Sequence, residues 1–177
     1  MKRVWIVLTA LALLSGSAAT AAERNATQSA AGGKASSVAK VWQSKLDPVY
    51  MLDVEKYPKF EAEILLKNGR TLRFCCVKSM MNFFYQPFKY PGYGVGPRGQ
   101  GIDKLYVRDY LDGTRIPAEK AWYVFGSRLA GPHGDDLIPL SSKTRAELFV
   151  KRYGGTRIMS YKEMRKKDFG LIKYLDM

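Results

Sequence analysis

The chain has 177 residues, and 29 Lys and Arg against 16 Asp and Glu give a formal net charge of +13. That length suits one ordinary domain and leaves little room for two independent ones. So basic a chain suits an acidic partner, an anionic surface or nucleic acid, but its cations are scattered apart from Arg165-Lys166-Lys167 and no nucleic-acid motif accompanies them, so an acidic protein partner is expected.

Residues 1–21 read as a secretory signal: Lys2 and Arg3 open it, Val4 to Leu14 is apolar, and Ala19-Thr20-Ala21 is a small-residue cleavage site. The apolar run is too short for a bilayer core of about 30 Å. Leu14-Ser15-Gly16-Ser17 resembles a lipoprotein box with serine where the lipidated cysteine would stand, so no lipid anchor is expected there. The expected product is an exported, periplasmic protein with no membrane anchor; without Lys2 and Arg3 its charge falls by two, to about +11. Residues 22–45, rich in Ala, Ser, Gly and Gln, bury too little apolar surface to order themselves and are expected to form a flexible leader.

A domain is expected over residues 46–164. Phe60 to Leu66 alternates like a strand, Asn68-Gly69 supplies a turn, and Thr71 to Phe74 makes a second strand. Val77, Met80, Met81 and Phe84 recur at helical spacing up to Pro87. The glycine-rich residues 90–101 read as a mobile loop before a strand over Ile102 to Tyr110. The loop contains Gly94-x-Gly96-x-x-Gly99, but Pro97 and the strand that follows rule out a dinucleotide fingerprint.

After Asp112-Gly113 the order returns: strand-like Ala121 to Leu129, a second strand from Asp136 to Leu140, a helix opened by Ser142 and ended by Gly154-Gly155, and a strand over Thr156 to Tyr161. Cys75-Cys76 and Ser141-Ser142 take the same place in the two halves. The expectation is an α+β fold, two packed ββαβ repeats at about 60–110 and 121–161 in one compact domain, with a basic tail over 165–177.

The two cysteines are adjacent, and a vicinal disulfide would close a strained eight-membered ring. At a helix start the macrodipole would lower their thiol pKa values and favour thiolate chemistry or metal ligation; the alternative is that they fill core volume. Methionines at helical spacing such as Met80 and Met81 usually pack a core. A thiol oxidoreductase would separate its cysteines by two residues, and no nucleophile motif surrounds the only histidine, His133, so catalysis is not expected.

The stretches EKYPKFEAEI (55–64), VRDY (107–110), AWYVFGSR (121–128), GPHGDDLIP (131–139) and FVKRYGG (149–155) follow one another much as in the NosL family, the nitrous oxide reductase accessory proteins. The resemblance covers roughly Pro48 to Glu163. It implies a paired ββαβ fold, a periplasmic location and delivery of Cu(I) to a copper-requiring enzyme or its assembly proteins.

Members usually carry Cys-Gly-Met before the Lys-Tyr-Pro-like stretch and a methionine in the Gly-Pro-x-Gly loop, and those side chains hold the copper. Here Tyr50, Met51 and Leu52 occupy the first positions and His133 the loop position. In one reading the metal site is rebuilt from His133, Met51, Cys75 and Cys76, sulfur and imidazole donors that suit Cu(I). In the other, a metal-free scaffold docks a periplasmic or membrane partner through its basic surface.

Overall fold

A computed structural model describes residues 45–134, 136–166 and 174–175. The signal and leader expected over 1–45 lie almost wholly outside these residues. No described helix is long and apolar enough to cross a membrane.

The first half begins with a hairpin. β1 (Ala62–Leu66) turns Ala62, Ile64 and Leu66 inward and keeps Glu63 and Leu65 toward the other face, the period-two pattern of a strand covered on one side. Its turn places Gly69 at φ 82, a conformation open to glycine at no steric cost. β2 (Thr71–Phe74) returns antiparallel, with Ala62 opposite Phe74. α1 (Val77–Tyr85) follows at once and buries Met80, Met81 and Phe83. β3 (Ile102–Arg108) then pairs with the other edge of β1. A short strand absent from the sequence reading, β4 (Arg115–Pro117), extends the sheet to the order β2-β1-β3-β4.

The second half repeats the plan. β5 (Trp122–Phe125) is central, flanked by β6 (Ile138–Leu140) and β7 (Arg157–Ser160), both antiparallel to it. Between β6 and β7 runs α2 (Lys143–Tyr153), ended by Gly154 at φ 74, and a one-turn α3 (Tyr161–Met164) follows β7 with a complete capping box. The architecture is α+β, two ββαβ units, as the residue pattern predicted.

Apart from Thr71–Phe74, which β2 matches at both ends, the expected strands are longer than the observed ones, in three cases for local reasons. β3 ends before Asp109, whose buried carboxylate turns the chain by accepting from the Leu111 N–H (2.9 Å). β5 ends before Gly126, at φ 69. β6 begins after Asp136, whose Oδ1 accepts from the Lys78 N–H at a helix start (3.1 Å). Nor does the glycine-rich loop run free: Tyr90 and Tyr93 each pack on Phe83 at 5.4 Å between centroids, and the Gly96 N–H donates to the Gln100 carbonyl (2.9 Å).

The halves share a core. Ile64, Phe74, Met80, Phe83 and Val107 of the first half are contiguous with Tyr123, Leu137 and Met159 of the second. A smaller cluster of Val124, Ile138, Leu140, Ala146 and Phe149 lies between the second sheet and α2. A third gathers Val54, Cys75 and Cys76 beneath Tyr50, Leu52, Tyr57 and Phe60.

Candidate functional site

Two small closed loops meet above the start of α1. The first, residues 46–53, is shut by the pairing of Leu46 with Asp53 and by the Asp47 N–H donating to the Leu52 carbonyl (2.8 Å). Asp47 is fully buried. Its carboxylate accepts from the N–H groups of Val49 (2.7 Å), Tyr50 (2.9 Å) and Cys75 (2.7 Å) and from the Ser79 hydroxyl (2.7 Å), which pins the loop to the helix. Met51 projects from this loop, 63% exposed, with φ at 57. A non-glycine residue there carries strain of order 1 kcal/mol.

The second loop carries the histidine. The Gly131 N–H donates to the Gly134 carbonyl at 2.6 Å, and Gly134 takes a φ of 77, so His133 stands at the tip of a tight turn, exposed. Its imidazole lies flat on the Tyr50 ring, 3.9 Å between centroids and 4° between planes. The stiff loop thus fixes an imidazole against the segment that the NosL resemblance marks.

Below the stack lie the thiols. Cys76 is the N-cap of α1: its backbone is extended (φ −164, ψ 169) and its sulfur accepts from the Ser79 N–H at 3.4 Å. Ser142 does the same for α2, its hydroxyl accepting from the Arg145 N–H at 3.2 Å. Both cysteines are free, 0% exposed, with their sulfurs 3.9 Å apart. Tyr50, half-buried, packs directly on this cysteine cluster.

Asp136 completes the arrangement and was missed from the sequence. It is buried, and its Oδ1 accepts from the Leu137 N–H (2.7 Å) and from the Lys78 N–H (3.1 Å) in the first turn of α1. Its Oδ2 has no hydrogen-bond partner among the described residues. Burial pushes its carboxyl up to about 6, against the opposing pull of the nearby Cys76 thiol and the two backbone amides.

The expectation that the helix start would lower the thiol pKa is overturned at Cys76. Its hydrogen-bonded neighbour Cys75, burial and the Asp136 charge push it well up, and the single Ser79 amide does not offset them. Burial, with the carboxylates of Asp136 and Asp47 nearby, likewise pushes the Tyr50 hydroxyl up. In this conformation Cys76 is a thiol and Tyr50 a neutral phenol.

Of the residues singled out from the sequence, the fold gathers Cys75 and Cys76 under Tyr50 and lays His133 on the same ring, while Met51 points outward from the next position. Among the described residues no three His, Cys, Asp or Glu side chains stand close enough together to hold a metal ion. Met80 and Met81 are core residues at 0% exposure. An open hollow of about 430 Å³ lined by Pro58, Lys59, Glu61, Arg108, Leu111, Asp112 and Gly113 shares no residue with this cluster, and its Glu61 is already bound to Arg73 (2.6 Å) and Arg108 (3.1 Å).

No curated protein matches the sequence. Among solved structures, the fold is similar to the copper chaperone NosL from Shewanella denitrificans, with a TM-score of 0.55 and 23% identity over 69% of this chain and 90% of that one. At that identity the likeness speaks for the fold. The NosL family profile matches residues 37–169, most of the chain and the whole of both repeats, and the protein therefore belongs to the NosL family.

Proposed function

We propose that the protein is an exported, non-catalytic accessory protein that binds Cu(I) and hands it to a copper-requiring enzyme of the nitrous oxide reductase type or to its assembly proteins. The observation that carries this reading is the Tyr50–His133 stack, which brings the loop at the family's Cys-Gly-Met position into contact with the loop at its methionine position. The solved relative is described as a copper chaperone, which supports the same reading. Copper here is cargo.

His133, Met51, Cys75 and Cys76 are the proposed donors. Imidazole, thioether and thiolate suit a soft monovalent ion, and a site of few ligands releases its ion readily. His133 and Met51 are the accessible pair, and the thiols are the buried one. Loading from the rim inward requires Tyr50 to leave the cysteine cluster.

Anaerobic Cu(I) titration of the full chain against a competing chelator tests the proposal. One ion per chain is expected, with affinity at least tenfold weaker in His133→Ala and in the Cys75→Ser, Cys76→Ser pair. A second reading, a metal-free scaffold that docks an acidic partner, draws on the sealed thiols and the raised Cys76 pKa. Absence of Cu(I) binding would favour that reading over the first.

A further inference from the structure

We propose that the Tyr50 side chain is a shutter over Cys76 and Asp136, latched by His133, and that its outward swing admits a thiophilic cation to that pair. The proposal rests on the copper reading for the identity of the ion, but the shutter itself is a property of the fold.

The two repeats provide the comparison. At the start of α2 Ser141 is exposed and Ser142 half-buried, whereas at the equivalent start of α1 both cysteines are sealed at 0%. Tyr50 is part of what seals them, because its ring packs on their cluster with one side and carries the imidazole on its face. Its backbone is fixed by the Asp47 carboxylate, so the motion open to it is rotation of the side chain about its own bonds.

Asp136 gives the covered space a reason to take a ligand. A buried carboxylate oxygen without a hydrogen bond costs on the order of 1–3 kcal/mol; among the described residues Oδ2 accepts none, and the Cys76 thiol is the side chain nearest to hand for it. A cation entering beneath the displaced ring would meet a sulfur and a carboxylate oxygen together. Asp136 is thus assigned as a further binding residue. The latch is exposed, so a partner that contacts His133 reaches the shutter without entering the protein.

Alkylation of the native, reduced protein by iodoacetamide, followed by mass spectrometry of the Cys75 and Cys76 peptides, reads the opening directly and needs no copper. Tyr50→Phe keeps the ring and should label within about twofold of the wild-type rate. Tyr50→Ala should label Cys76 at least tenfold faster, and His133→Ala, a surface change, severalfold faster. A wild-type rate in Tyr50→Ala overturns the proposal. If Tyr50→Ala does not fold, His133→Ala decides, and an unchanged rate there overturns it as well. Cu(I) titrated into the same variants separates the two ideas: faster labelling without Cu(I) binding keeps the shutter and removes copper, whereas Cu(I) binding with labelling indifferent to Tyr50 does the reverse.

Discussion

Gly131 shows how tightly the histidine loop is fitted. A Cβ there would stand 2.6 Å from Asp136 Oδ2 and 2.8 Å from Asp136 Cβ, so Gly131→Ala must displace either the loop or the buried carboxylate. A loss of about 1–3 kcal/mol is expected, as for other overpacked buried sites, and urea unfolding measures it. Met51 is the opposite case, a side chain kept where glycine would be easier. Met51→Gly should stabilise the fold by up to about 1 kcal/mol by relieving the left-handed strain, while weakening Cu(I) binding if the thioether is a donor; a denaturation midpoint and a chelator titration on one sample check both. His133 and the cysteines could be singled out in the sequence because their chemistry is rare in this chain. Asp136 could not, since its meaning comes from the Lys78 amide 58 positions away. Asp47 had a faint signal in Asp109, an acid that stands ahead of β5 and β6 as Asp47 stands ahead of β1 and β2.

That correspondence runs through the elements. Asp47 accepts from the Cys75 N–H at 2.7 Å, and Asp109 accepts from the Ser141 N–H at 2.7 Å. Ser79 and Arg145, equivalent by position, each donate a side-chain bond to the acid of their own half. The duplicated ββαβ order was legible because strand alternation, the Asn-Gly turn and helical spacing all agreed. β4 was not, because three residues containing a proline have no periodicity to read. Asp109 has a measurable pH signature. Burial pushes its carboxyl up, but Arg145, Ser141 and Leu111 together hold it below the ordinary carboxylate range. A depressed folded pKa means that stability is fully present above the unfolded value of about 3.9 and is lost as pH falls through the lower folded value. Urea midpoints should therefore drop below about pH 4, and Asp109→Asn should remove part of that slope while costing about 2 kcal/mol at neutral pH through weakened charge-assisted bonds.

At the scale of the molecule, the shared core makes the two repeats one cooperative body. Tyr174 and Leu175, within the segment that composition suggested as a basic tail, are 7% and 3% exposed. The Asn82 side-chain amide donates to the Leu175 carbonyl (3.0 Å), and the Lys78 ammonium sits 4.8 Å from the Tyr174 ring centroid. Leu175→Ala should cost about 2–4 kcal/mol, as large-to-small core changes do, and lower a single thermal transition without splitting it. The placement was hidden in the sequence behind Arg165-Lys166-Lys167, whose charge dominates the local composition. The paired helix caps carry a consequence for experiment. Nature has already tried the hydroxyl version of this junction, eleven residues of helix hang from it, and it holds. A serine grafted onto the sulfur-bearing copy at Cys76 should therefore still cap its helix, so that copper binding lost by such a variant, once its fold is shown intact, can be charged to the element sulfur itself.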